Sequence, residues 1–406
     1  MKMTKNALTI MGIALILPVA VLAFEGPRNY QIHNRLRLEY DDNIYESGRD
    51  ETSSFKVIEE IEFLVNLNLE NTFASIRYKP SFVWWENRSE DSTDFHHDVD
   101  LIFNQRFTPR VSLDVKNTFR YAQQPNVIES GAVVRERSDF LYNALVGTVL
   151  YRVSPVGRLE VSGRYNLLRY DESRVADVED YDMYVAGLTY RHTLVPETAL
   201  KADVRFETID YDQIDRGSDA YQIGFGVEHM FSPNLLGNLR AGYMAKDYND
   251  ETVSSDSAPY FDGNLTFVPS PDTRVTLGMG YSMLESDIFP YANQERFRVF
   301  GGVAHDVTPR LSVNLIGSFA RSNYDAADIV PSGIIERFEV PEELLADFLA
   351  QVDDGKEEFI QLSARVTYRV NRSNWLEAGW QFTDLSSDLR ENFDRNRINI
   401  GWKTRL

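Results

Sequence analysis

The sequence predicts an all-β fold: a transmembrane antiparallel up-and-down β-barrel of about 18 strands, with short turns at one end and longer acidic loops at the other. Three observations predict it. A proline turn recurs at Thr108-Pro109-Arg110, Ser154-Pro155-Val156, Val195-Pro196-Glu197, Ser232-Pro233-Asn234, Pro269-Ser270-Pro271 and Thr308-Pro309-Arg310, roughly every 40 residues, the length of two spanning strands and one long connection. The runs between the turns alternate apolar and polar residues. Beyond the N-terminus no apolar stretch approaches the ~20 residues of a spanning helix, and mean hydropathy is −0.35.

The N-terminus reads as a leader. Lys2 and Lys5 precede an apolar core from Ala7 to Leu17, and Val21-Leu22-Ala23 suits cleavage after Ala23. The expected organisation is a signal peptide over 1–23 and one barrel domain over 24–406.

The strands follow in order. Ile32, Leu36, Leu38 and Tyr40 take one face of the first, and His33, Arg35, Arg37 and Glu39 the other. Val111, Leu113, Val115, Phe119 and Tyr121 oppose Ser112, Asp114, Lys116, Thr118 and Arg120. Leu200, Ala202, Val204 and Phe206 oppose Lys201, Asp203, Arg205 and Glu207, and the run from Ile360 to Val370 behaves alike. A face this charged in so many strands points to a wet interior, with the apolar face on lipid. A first strand near 30–40, pairs about turns near 71, 109, 155, 196, 234, 270, 309 and 372, and a last strand over 393–406 give 18 strands. The alternative is 16, because alternation is weaker near 138–153 and 258–268. Both termini then lie on the periplasmic side.

Net charge is −20, which excludes nucleic acid as a partner unless charge is segregated. It is segregated, because the long connections carry the acid: Asp41, Asp42, Glu46, Asp50 and Glu51 in one, Glu86, Glu90, Asp91 and Asp94 in the next, Asp250, Glu251 and Asp256 in a later one. The longest loop, about 324–354, contains Pro341-Glu-Glu-Leu-Leu-Ala-Asp-Phe-Leu-Ala350, a helix start with an apolar stripe. Leu344, Leu345 and Phe348 are the candidates for narrowing the pore; a cap over the rim is the alternative. Aromatic residues gather at strand ends, as at Trp84-Trp85, Phe107, Tyr151, Phe231, Phe267 and Trp402, where interfacial girdles place them.

The interior arginines are the candidate pore lining: Arg35, Arg37, Arg365, Arg369, Arg395 and Arg397. Arg296 and Arg298 add a second group on the fourteenth strand. If the first and last strands meet, Arg35, Arg37, Arg395 and Arg397 form one ladder, either a track for anionic sugar or one side of a rigid lattice with interior carboxylates.

The last strand, Arg397-Ile-Asn-Ile-Gly-Trp-Lys-Thr-Arg-Leu406, is amphipathic to its end and resembles the signal read by the outer-membrane assembly machinery, with Leu406 where Phe or Trp is usual. Near the start, Tyr40-Asp-Asp-Asn-Ile-Tyr45 resembles the opening of the putative β-barrel porin 2 family of Gram-negative outer-membrane proteins. The resemblance implies a bacterial outer-membrane porin embedded among lipid and lipopolysaccharide, associated with exopolysaccharide export components, and it brings no catalytic residues. Asp41, Asp42 and Asn43 present adjacent oxygens that could hold Ca²⁺ or cap a turn.

Enzymatic chemistry finds little footing. There is no cysteine, no Gly-x-Ser-x-Gly elbow and no phosphate-binding glycine loop; Gly278-Met-Gly280 reads as small-residue packing inside a strand. His97, with Asp94, Asp98 and Asp100 nearby, is the one hydrolase-like neighbourhood. The expected function is a channel for polar solutes or a polysaccharide conduit, without a cofactor. A structural or adhesive barrel with cation-bridged acidic loops, and a barrel hydrolase, are the rivals.

Overall fold

The computed structural model describes residues 29–406 except 90, 124–125, 128–132, 135–137, 215, 251–252, 289–290 and 327–351. The expected leader over 1–23 and the 341–350 segment, with Leu344, Leu345 and Phe348, lie outside the described residues.

Eighteen strands form one closed antiparallel sheet. The first six are β1 (Tyr30–Asp41), β2 (Ser54–Asn68), β3 (Thr72–Trp85), β4 (Thr93–Thr108), β5 (Val111–Ala122) and β6 (Phe140–Arg152). Then come β7 (Gly157–Tyr170), β8 (Tyr181–Val195), β9 (Thr198–Tyr211), β10 (Ser218–Ser232), β11 (Leu235–Tyr248) and β12 (Asp256–Ser270). The last are β13 (Thr273–Glu285), β14 (Asn293–Thr308), β15 (Leu311–Tyr324), β16 (Gly355–Arg369), β17 (Asn374–Ser387) and β18 (Phe393–Arg405). The short helix α1 (Ser173–Glu179) lies between β7 and β8. Each strand pairs with its neighbour in sequence, and β18 pairs with β1 from Asp41↔Arg397 to His33↔Arg405. Closure leaves no open edge, so backbone groups are satisfied inside the sheet, as lipid demands. All eight short turns fall where the proline and polar punctuation put them, and 18 strands, not 16, is the count.

The repeated turn wording has a local cause. Thr108 Oγ1 accepts from the backbone N–H of Arg110 and of Val111 at 3.2 and 3.1 Å, and Thr308 Oγ1 does the same for Arg310 and Leu311 at 3.2 and 3.0 Å. A hydroxyl before proline thus satisfies the N–H groups that a tight reversal frees. Register shifts beside Thr108, Val195, Ser232 and Thr308 mark the same ends, where an extra residue bends the strand.

The outer face is the apolar one. Leu38, Phe55, Leu200, Val204, Phe225, Leu239, Leu277 and Ile400 are exposed, as are Trp84, Phe107, Tyr151, Phe231, Phe267 and Trp402 near strand ends. One expectation is corrected. Trp85 is not in the girdle: it follows Trp84 in the same strand, so it points inward, and it is 2 % exposed. There its Nε1 donates to Asp94 Oδ2 at 2.7 Å and the Lys56 ammonium stands 4.3 Å from its ring centroid.

Candidate functional site

The lumen changes character with height. Among the described residues, every buried apolar strand side chain larger than alanine lies in the loop-proximal half: Ile58, Val83, Trp85, Phe140, Tyr142, Leu168, Tyr170, Tyr181, Ile209, Met244, Tyr260, Met283, Tyr324 and Leu385. Several connections fold in to meet them. Ile44 packs with Ile58, Val83 and Trp85. Val175 of α1 packs with Phe140, Tyr142, Leu168, Tyr170, Tyr181 and Ile209, and Val253 packs with Ala292. Among the described residues, apolar packing inside the barrel is therefore confined to the long-loop end, and the turn-end half of the inward face is polar.

On the wall around the closure, cations and carboxylates interleave. Arg35 Nε donates to Glu377 Oε2 at 2.6 Å, and its Nη1 lies 3.3 Å from Glu60 Oε2. Arg37 reaches Glu60 at 3.2 Å. Lys79 bridges Glu60 at 3.4 Å and Asp98 at 2.9 Å, and Arg77 pairs with Asp100. Arg395 holds Asp41 and also Glu46 at 2.6 Å, while Lys56 holds Glu39 at 2.9 Å and Asp41 at 2.5 Å. The register explains why no bare basic ladder results: Arg35 faces Lys403, but Asp41 faces Arg397 and Glu39 faces Asn399. Arg35, Arg37 and Arg395 are thus spent on a compensated lattice. Arg365, Arg369 and Arg397 face the lumen by register without an ion pair among the described residues.

The opposite wall holds a cavity of about 420 Å³. Five arginines line it, Arg164, Arg205, Arg240, Arg296 and Arg298, with Glu207, Asp262 and Glu357 as the carboxylates and Gln222, Gln361, Tyr260 and Ser318 among the neutral polar groups. Two of the arginines are clamped. Arg240 grips Asp203 with both arms at 2.9 and 2.8 Å and donates to the Tyr260 hydroxyl at 2.9 Å. Arg296 donates to Ser322 Oγ at 3.0 Å and Gln294 Oε1 at 2.7 Å. Tyr260 can lie across the wall because residues 224 and 242 are glycines: a Cβ at Gly242 would come 2.6 Å from its ring.

The profile of the putative beta-barrel porin 2 family matches residues 33–406. The chain belongs to that family. No curated protein matches the sequence. Among solved structures, Acinetobacter baumannii OccAB3 superposes with a TM-score of 0.47 at 11% identity, covering 93% of this chain and 100% of that one. Pseudomonas aeruginosa OccK2 (OpdF) gives 0.49 at 9%, covering 93% and 98%. Pseudomonas aeruginosa OpdQ gives 0.48 at 9%, covering 94% and 100%. Membership places this porin-family barrel in the outer membrane.

The segment that carried the family resemblance is a strap across the closure. Tyr40 packs on Phe55 at 5.1 Å between ring centroids. Asp41 turns inward to Arg395 and Lys56. Asp42 accepts from Asn396 N at 2.6 Å and Asn396 Nδ2 at 3.0 Å. Asn43 Oδ1 accepts from Ser47 N at 3.0 Å, and its Nδ2 donates to the carbonyls of Ser47 at 2.8 Å and Asp394 at 2.9 Å. The Tyr45 hydroxyl lies 2.8 Å from Ser89 Oγ in the next loop. The oxygens weighed for Ca²⁺ thus serve three separate sets of protein donors, and no group of three or more metal-ligating side chains occurs among the described residues. The sequence showed the motif, but a partner some 350 residues away left no local signal.

The hydrolase-like neighbourhood is split by the sheet. His97 Nδ1 lies 3.0 Å from the Tyr78 hydroxyl. Asp98 and Asp100, one and three residues on, point to the other face and pair with Lys79 and Arg77, and Asp94 pairs with Arg88 at 2.7 Å.

Proposed function

We propose that this barrel passes small polar solutes across the outer membrane. The observation that carries the reading is the inward face: charged and hydroxylated from β1 to β18, free of buried apolar packing in its turn-end half, and holding guanidinium groups with no carboxylate partner among the described residues. Such a wall wets a lumen that a barrel of this strand number leaves wide enough for solute. The leader over 1–23 and removal after Ala23 belong to the same reading, as do lipopolysaccharide and the assembly machinery as partners. N-terminal sequencing of protein from isolated outer membranes should begin at Phe24.

Discrete conductance steps from the purified protein in planar bilayers are the expected result. A silent, tightly sealed barrel overturns the reading. The polar turn-end half faces the periplasm, the side from which an exported chain would enter, and this favours polysaccharide export as the second reading. Export of a polymer requires the packed loop end to open, so gene deletion should then abolish capsule or slime.

A further inference from the structure

We propose that the lumen contains a carboxylate subsite built on Arg298, and that its ligand is a small organic acid rich in hydroxyl groups, of the sugar-acid class. The inference rests on the channel reading and names the solute.

Arg298 and Phe300 follow one another on the inward face of β14, opposite Gly280 and Gly278 of β13. The Phe300 ring lies on the wall over Gly278, where a Cβ would come within 2.2 Å of Cζ. Only glycine allows that ring position. The Arg298 guanidinium carbon stands 5.0 Å from the ring centroid. Stacking on a ring orients a guanidinium while leaving its N–H fork unspent.

No carboxylate pairs with Arg298 among the described residues, and the charged group acting on it is another cation, Arg296. Arg164 also has no ion pair among the described residues, and Arg205 approaches Asp203 only at 3.8 Å. Arg240 and Arg296, clamped as described, are scaffold. The cavity thus has uncompensated, pre-oriented cation donors, and a carboxylate is the group that takes such a fork two bonds at a time.

The remaining lining supplies acceptors for hydroxyl groups: Glu207, Asp262 and the side-chain carbonyls of Gln222 and Gln361. These carboxylates also disfavour a ligand that is anionic at both ends. The volume of about 420 Å³ falls in the range of small-molecule sites.

The test is calorimetry on the full-length protein in detergent, with galacturonate, galactose, galactosamine and sulfate as probes, beside bilayer recordings. Galacturonate should bind about tenfold or more tightly than galactose, a difference that one charge-assisted pair supplies. R298A should erase that preference and R298K restore only part of it, with the β-rich circular dichroism unchanged. F300A should weaken it, because the fork loses its support. Equal binding of galactose and galacturonate overturns the proposal, as does undiminished preference in R298A or competition by sulfate as strong as by galacturonate. A barrel that conducts without discriminating sinks the subsite and spares the channel. One that binds galacturonate but never conducts does the reverse.

Discussion

Asp41 and Arg395, 354 residues apart in the chain, are joined by two hydrogen bonds, Nε to Oδ1 at 2.9 Å and Nη2 to Oδ2 at 2.5 Å. Asp41 is fully buried and also holds Lys56. Removing one partner of a buried pair strands the other charge, at about 3–5 kcal/mol. Asp41→Ala takes one carboxylate from each of Arg395 and Lys56, which keep Glu46 and Glu39, and should lower barrel stability toward the lower end of that range in denaturant unfolding of the detergent-solubilised protein. Asp41→Ala with Arg395→Ala should cost less than the sum of the single changes, and strict additivity would show that the pair contributes little.

Arg216 ties together three of the connections at the packed end. Its guanidinium lies 4.8 Å from the Tyr211 ring centroid, donates to the Ser286 carbonyl, and stands 3.6 Å from Glu179 at the end of α1. Arg216→Ala should free these loops, raising single-channel conductance and protease cleavage in them. Strand secondary structure should hold. Conductance equal to the parent's would assign closure of that end to other contacts.

Asp180 gives the same region a pH dependence. Burial, helped by Asp212 and Asp177, pushes its carboxyl up to about 6, against the opposing Tyr170 N–H and Arg169. The folded loop therefore disfavours the charged form. That cost is absent below the ordinary carboxylate range and fully present above about 6, so stability is lost as pH rises. Hydrogen-exchange protection over 171–180 should increase as pH falls from 7 to 5, and Asp180→Asn should flatten the profile.

The lipid-facing surface can be tested at Val204, which is 48% exposed near the middle of β9. Val204→Arg should destabilise the barrel in bilayers by about 2–4 kcal/mol. Arg205→Val, one residue along and facing the lumen, should cost far less. Equal penalties would contradict the assignment of faces.

What the sequence showed and what it hid divide along physical lines. Turns and faces were legible because proline with a preceding hydroxyl acts locally and because side chains of a strand alternate. Hence Leu38 and Arg37 were placed correctly, and Arg298 was visible as an interior cation. The seat under Phe300 was not visible, since Gly278 looks like any small residue until the neighbouring strand is in register. Nor was the inward folding of the loops, because Ile44, Val175, Val178 and Val253 sit in short polar stretches, too brief for a period to show. The pairing of Arg395 with Asp41 was open to two readings, and only the offset between β18 and β1 decides between a bare cationic track and a lattice.

The strap has a temporal consequence for biogenesis. Asp41, Asp42 and Asn43 emerge roughly 350 residues before Arg395 and Asn396, so the lock cannot engage until β18 has been made. Until then Asp41 has Lys56, itself shared with Glu39, but not Arg395, and the nascent sheet has two unpaired edges. Such a precursor needs an escort through the periplasm, and the seal becomes a completion check that a prematurely terminated polypeptide fails.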